Sequence, residues 1–270
     1  MTGGSRIRTC RSRSWARPVA EPDGSPVLWH IPVSHYSEKA RWALQIKGVE
    51  HKRRAPPPGG HMLVALALTR GRSVTFPVLE LDGRRIGDST AIIAALEERH
   101  PEPPLYPEDP ADRRRALELE EFFDARLGPA IRRLGWHEVA QDRDRMAAVA
   151  VRQVPQPMAR FRGPVGAFGR TYVNLRYGAA DPEGAERARR DVLASLDRLD
   201  AELGDREYLV GDRFTSADLT AAALFYPLVL PPEGPRAFDP TEAYERFRAP
   251  LKERRGYRWV QEMFRRHRRG

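Results

Sequence analysis

Cysteine is almost absent from this chain of 270 residues: its one thiol is Cys10. A single cysteine excludes an intramolecular disulfide, a four-thiolate zinc site and a Cys-x-x-Cys redox pair. Long apolar runs are lacking as well. The longest strongly apolar stretch, Leu219 to Leu230, is 12 residues and contains Pro227, short of the roughly 20 that a helix needs to cross a bilayer. It predicts a buried helix. Lysine is scarce, four of the 46 basic residues, so the positive charge is arginine. The net charge of +9 sits at the ends. Residues 1–25 carry five arginines against Glu21 and Asp23, and residues 246–270 carry nine arginines and Lys252 against Glu253 and Glu262. The body between them is close to neutral, and no zinc-finger or RNA-binding aromatic motif accompanies the arginines. The balance therefore favours solvated basic ends over a nucleic-acid site. With 41% hydrophobic and 31% charged side chains, there is material for one large or two ordinary domains, each with its own core.

Residues 1–25 have no sustained period and few apolar side chains, which predicts a disordered basic extension. It is Arg- and Ser-rich like an organelle transit segment, but it has no clear amphipathic helix and no apolar secretion region, so the expectation is a cytoplasmic protein. The pattern changes at Pro26. Val27 to Ile31 is a short buried strand ended by Pro32. Ser37 reads as the cap of a helix carrying Ala40, Ala43, Leu44 and Lys47 on one face and stopped by Gly48. His51 to Ala55 reads as an edge strand, and Met62 to Leu68 is apolar without a decisive period. Pro77 to Leu81, Asp82-Gly83 and Arg84 to Ile86 make a hairpin, since Asp-Gly suits a two-residue turn with positive φ. Ser89 to Arg99 follows as a helix, with Ile92, Ile93 and Leu96 at helical spacing. From Asp109 onward the pattern is helical throughout. Phe123, Leu127, Ala130, Ile131 and Leu134 share one face, as do Ala185, Ala188, Val192, Leu196, Leu199 and Leu203. Thr215-x-x-Asp218 opens a further helix as a capping pair. The domain expectation is thus 26–101 as a small α/β layer, 102–110 as linker and 111–270 as a helical bundle.

The order β-α-β-β-β-α with Phe76-Pro77 before the hairpin and Asp88-Ser89 opening the next helix, then a bundle containing Thr-x-x-Asp, resembles the soluble glutathione transferases over most of residues 26–230. The resemblance implies a thioredoxin-like N-terminal domain that binds glutathione and an all-α C-terminal domain that supplies most of the pocket for an electrophile. It implies glutathione as co-substrate, no permanently bound cofactor or metal, and a homodimer. Pro77 can hold a cis peptide bond, which would leave the backbone of Phe76 free to pair with the cysteinyl unit of the tripeptide. Ser89 and the amides at the helix start suit the γ-glutamyl carboxylate, and Asp88 suits its ammonium. Ser34 occupies the place that looks like the family's catalytic Ser or Cys. A hydroxyl there can donate to the glutathione thiolate and lower its pKa. Tyr36 is the fallback hydroxyl, and His35 reads as exposed. Singly, Ser34 and Ser89 also suit plain helix capping, and Pro77 the start of a strand.

Residues 56–75 depart from the family pattern, so the grip on the glycine end of the tripeptide has no assignment beyond His61, Arg70 and Arg72 as carboxylate contacts. Serine at 34 argues against disulfide exchange, which needs a mixed disulfide. Trp136, His137, Phe161, Phe168, Tyr172 and Tyr177 fall where a second-substrate pocket is expected, and they equally suit the core of a bundle. The resulting expectation is a transferase joining glutathione to a small hydrophobic electrophile. A glutathione-dependent cis-trans isomerase of the maleylacetoacetate type and a noncatalytic ligand- or protein-binding module on the same fold are its alternatives.

Overall fold

The computed structural model describes residues 24–56, 60–154, 156–236 and 239–268. The expected extension, apart from Gly24 and Ser25, lies outside the described residues, and so does Cys10. Strands β1 (Val27–Trp29), β2 (Lys52–Arg54), β3 (Val78–Leu81) and β4 (Arg84–Gly87) form one sheet in the order β2-β1-β3-β4. β1 runs parallel to β2 and antiparallel to β3, with Leu28 opposite Leu79. β2 is the exposed edge strand, as its three polar residues require. Asp82 and Gly83 both hold positive φ in the β3–β4 turn, as a tight hairpin demands.

Helices α1 (His35–Ile46), α2 (His61–Leu68) and α3 (Ser89–Arg99) complete the first unit. The ambiguous apolar segment is therefore helix. It buries only Ala65 and Leu68 and leaves Leu63 and Leu66 exposed, which explains why its sequence shows no clean face. The second unit is helical. α4 (Pro110–Phe122) passes through a π-turn at Phe123–Leu127 into α5 (Gly128–Ala140), followed by α6 (Arg143–Val151), α7 (Gln156–Ala159), α8 (Arg162–Tyr177) and α9 (Pro182–Leu203). Then come α10 (Ser216–Val229), α11 (Glu242–Arg248), a 3₁₀ turn at Ala249–Glu253 and α12 (Arg255–His267). The expected single face from Phe123 to Leu134 is buried throughout, but the π-turn interrupts the helix that carries it.

α10 is the central helix: every residue from Ser216 to Val229 is buried, in agreement with its unbroken apolar sequence. Thr215 and Asp218 close a reciprocal capping box at its start, with the Thr215 amide donating to Asp218 at 2.8 Å. At its far end Tyr257 and Arg248 both donate to the Val229 carbonyl, and Tyr244 donates to the Pro227 carbonyl. These satisfy carbonyls that a helix end leaves orphaned. One apolar core runs from Leu28, Leu79 and Ile92 through Trp42 to Leu119, Phe225 and Phe264, so the two units share their interior. The basic C-terminal region is not the solvated end its charge suggested. α12 buries Tyr257, Trp259, Val260, Met263 and Phe264, and Arg254 and Arg268 are ion-paired with Asp200 and Glu38.

Candidate functional site

The loop between β1 and α1 is set by a short chain of hydrogen bonds. The Ser34 amide donates to the Ile31 carbonyl, and the Ile31 amide donates to Ser37 Oγ at 3.1 Å. Ser34 Oγ accepts from the Ser37 amide at 3.3 Å, so Ser34 is the cap of α1. This corrects the assignment of the cap to Ser37, which is fully buried within the first turn. α1 begins three residues earlier than its apolar face suggested, because a cap is chosen by the backbone turn after Pro32. From the other unit, Tyr226 on α10 donates to the Val33 carbonyl at 2.5 Å, which ties this loop to the bundle.

Ser34, Phe76, Pro77, Asp88 and Ser89 all line one cleft of about 1090 Å³ between the end of the sheet and the bundle helices. The Phe76–Pro77 peptide is cis. Asp88 caps α3: its Oδ1 accepts from the Thr90 and Ala91 amides at 2.9 and 3.2 Å. It does so at φ +78°, a conformation that costs a non-glycine residue energy and recurs at functional positions. Ser89, buried behind it, is the first residue of the helix and not its cap.

The neighbouring side chains divide sharply by environment. Tyr36 donates to the Asp124 carbonyl at 2.8 Å, and burial beside Asp124 pushes its pKa well above the phenol range. Its hydroxyl lies against Gly128, where a Cβ would overlap it. His35 is buried, at 4% exposure, and not exposed as its sequence position suggested. Burial and the Arg132 guanidinium lower its pKa to about 3, so it is neutral at pH 7. His30 is lowered to about 4 by burial and Arg41, and as a neutral ring it accepts from Arg41 at 2.7 Å through Nδ1. Beneath Asp88 and Ser89 lies a buried ionic network. Lys39 Nζ sits 2.8 Å from Glu120 and 2.6 Å from Asp124, and Thr90 Oγ1 reaches both carboxylates at 2.9 Å. Burial raises the Asp124 pKa against the pull of Lys39.

His61 lines the cleft, with Nε2 2.7 Å from the Tyr172 hydroxyl. Arg70 and Arg72 are exposed and lie outside the lining. Of the six aromatic and histidine positions expected at a second-substrate pocket, Trp136, Phe168, Tyr172 and Tyr177 line the cleft. His137 points elsewhere, donating from Nδ1 to the Ala179 carbonyl at 2.8 Å, and Phe161 is exposed outside it. Asp124, Arg132 and Arg176 also line the cleft and had no signal in the sequence. Each looks locally like an ordinary charged helix position, and only the packing of the π-turn after α4 and of α5 and α8 brings it inward. Among the described residues no group of three or more His, Cys, Asp or Glu side chains could hold a metal ion.

A thioredoxin-like sheet unit joined to a helical bundle, with a cleft between them opening at the start of α1, is the architecture of a glutathione transferase. Two models of that family match this chain: glutathione S-transferase, N-terminal domain, over residues 28–104, and glutathione S-transferase, C-terminal domain, over residues 182–249. The chain belongs to the glutathione S-transferase family. It is similar to a probable maleylacetoacetate isomerase 1 of Drosophila melanogaster, 30% identical over 121 residues, which is 43% of this chain and 49% of that protein. It is also similar to a probable glutathione S-transferase of Nicotiana tabacum, 27% identical over 194 residues, covering 72% of this chain and 66% of the tobacco protein. FtsZ-localized protein A of Caulobacter vibrioides is 27% identical over 138 residues, 51% of this chain and 47% of that protein. The chain thus spans between about half and two thirds of the length of these relatives. Among solved structures, a glutathione-bound theta class glutathione S-transferase from Xanthomonas axonopodis pv. citri superposes with a TM-score of 0.55 at 21% identity, covering 88% of this chain and 97% of that one.

Proposed function

We propose that this protein is a glutathione transferase that activates the glutathione thiol at Ser34 for attack on a small electrophile with an apolar body. On this reading Phe76, Pro77, Asp88 and Ser89 hold the tripeptide, and the protein works in the cytoplasm as a homodimer. The observation that supports it is the meeting of those five residues in one cleft. Ser34 Oγ accepts from the Ser37 amide, which leaves its own proton to donate to a thiolate. The N-terminus of α1 adds positive potential to the same spot. The thiolate forms the C–S bond while the leaving group departs with its electron pair, so the serine stabilises a nucleophile without becoming one. The dipole and the hydroxyl act on the ionised thiol, so both favour attack at neutral pH.

The test is glutathione binding by calorimetry, with the thiolate absorbance of the bound tripeptide followed across pH. Wild type binds glutathione with its thiol pKa below the free value. Ser34→Ala keeps binding, raises that pKa and lowers kcat/KM about ten- to hundredfold, the range of one hydrogen bond to a charged group. Absence of saturable binding overturns the reading. A second reading, a glutathione-dependent cis-trans isomerase, is supported by the maleylacetoacetate isomerase relative. It differs in consuming no glutathione, because the thiolate adds to a double bond, the bond rotates, and the thiolate leaves again. A third, a noncatalytic binding module, draws on the FtsZ-localized protein A relative and requires ligand affinity and biological effect to survive Ser34→Ala unchanged.

A further inference from the structure

The helical wall of the cleft carries a pair of guanidinium groups with no counter-ion. Arg132 on α5 and Arg176 at the end of α8 both line the cleft, and both lie over the same ring. The Arg132 Cζ is 4.9 Å from the centroid of Tyr177 and the Arg176 Cζ is 5.4 Å from it. Arg132 also stands 5.9 Å from the Tyr36 ring, next to the start of α1. Their charge reaches into the cleft: burial lowers the His35 and His61 pKa values, and Arg132 adds to the first shift and Arg176 to the second. Several arginines of this chain find carboxylates, as Arg41, Arg115, Arg189, Arg198 and Arg254 do. Arg152 lines the cleft as well, but of the three only Arg132 and Arg176 converge on the Tyr177 ring. Among the described residues neither Arg132 nor Arg176 has an acidic partner or a hydrogen-bond acceptor. Three acids among the described residues line the cleft, Asp88, Glu121 and Asp124, and none of them is ion-paired with either arginine. Asp124 is bound to Lys39, and Asp88 caps α3.

We propose that Arg132 and Arg176 form a carboxylate-binding subsite for the second substrate, which is therefore a flat, apolar molecule bearing an anionic carboxylate. Two like charges held side by side repel, and stacking on Tyr177 holds them in place while leaving their N–H edges open. Stacked guanidinium groups with free edges suit bidentate pairing with a planar carboxylate. The flat body has a surface of matching chemistry, since Trp136 stacks nearly parallel to Tyr177 at 6.5 Å between centroids, and Phe168 and Tyr172 line the same space. The inference deepens the transferase reading and rests on it. It changes the expected electrophile from merely hydrophobic to hydrophobic with one negative end.

The test uses the full chain and calorimetry with three titrants: glutathione, S-(4-carboxy-2,6-dinitrophenyl)glutathione and its carboxamide counterpart, which has the same shape without the charge. Wild type binds the carboxylate conjugate on the order of tenfold more tightly than the carboxamide. Arg132→Met and Arg176→Met lose that preference while their affinity for glutathione and their melting temperature stay at the wild-type values, and Arg176→Lys keeps part of it. Equal binding of the two conjugates, or a preference that survives in the double variant, overturns the subsite and leaves the transferase reading standing. So does a loss of glutathione affinity in Arg176→Met with no change in the preference, because the arginines then serve the tripeptide. If none of the three titrants binds, the glutathione reading falls. 3,5-Dinitrobenzoate against 3,5-dinitrobenzamide then decides the subsite by itself: a charge preference abolished by Arg132→Met sustains it, and no preference overturns it.

Discussion

Three hydroxyl or imidazole groups stand within three consecutive positions of the chain, and their surroundings give them different chemistry. Ser34 is half-buried at the cleft with its proton uncommitted, His35 is buried and neutral, and Tyr36 is committed to the Asp124 carbonyl. Helical geometry makes this division, because successive residues at the start of α1 point about 100° apart. Tyr36 is therefore a positioning residue between the two units, and Gly128 is glycine because any side chain there would displace the phenol. Tyr36→Phe is expected to lower stability by about 1 kcal/mol, the value of one hydrogen bond, measured by urea unfolding. It should leave the thiol pKa of bound glutathione unshifted. A raised thiol pKa in Tyr36→Phe would transfer the activating role from Ser34 to Tyr36.

At the scale of elements, the central helix α10 depends on its cap. Thr215→Ala removes one half of the capping box and one of the hydrogen bonds to the buried Asp218 carboxylate. It should cost about 1–2 kcal/mol, read as a lower thermal midpoint. The β1–α1 junction instead sets a pH dependence. His30 and His35 have folded-state pKa values lowered to about 4 and about 3. Between those values and about 6.5 the unfolded chain binds more protons than the folded one, so stability is full above about pH 6.5 and falls as the pH drops. Asp218 works in the opposite sense. Burial raises its pKa to about 6, so the folded state holds that proton more tightly and gains stability as the pH falls from about 6 towards 4. Burial also lowers His51, His61 and His267 and raises Asp124, so five histidines stand against two carboxyls and leave a net loss on acidification. Denaturation midpoints should fall between pH 7 and pH 5, less steeply in His35→Gln and more steeply in Asp218→Asn. Identical slopes in all three proteins would contradict this assignment.

Across the whole molecule, the site is held by contacts that join the two units. Lys39 on α1, Thr90 on α3 and the carboxylates of Glu120 and Asp124 meet in one buried network. Lys39→Met leaves two carboxylates facing each other without a cation, and removal of one partner of such a pair costs about 3–5 kcal/mol. The loss should show in urea midpoints, and Glu120→Gln added to Lys39→Met should recover part of it. No recovery would mean that the lysine acts through its packing alone. Tyr226 and Trp42 make further ties, donating to the carbonyls of Val33 and His267. Substitutions in α12, which contributes no lining residue, are thus expected to reach the cleft through the core, whereas Tyr226 and Pro227 of α10 line it directly.

Local rules sufficed wherever an element follows from its own residues. The Asp-Gly hairpin, the helix from Ser89 to Arg99, the apolar stripe of α9 and the buried α10 were all legible in the sequence, because turn chemistry and hydrophobic period act over a few residues. The five residues from Ser34 to Ser89 were legible as a pattern through their resemblance to a known family. Their meeting in one cleft is a property of the fold. What only tertiary structure decided is which charged and aromatic side chains face inward. Lys39, Asp124, Arg132 and Arg176 look alike in sequence, each a polar residue on a helix. Their environments were set by helices distant in the sequence, and burial by distant elements leaves no mark on the local period. The same holds for the α1 cap, for His35 and for the basic C-terminus, where Arg254 and Arg268 find their carboxylates only when the chain has folded back upon α9 and α1.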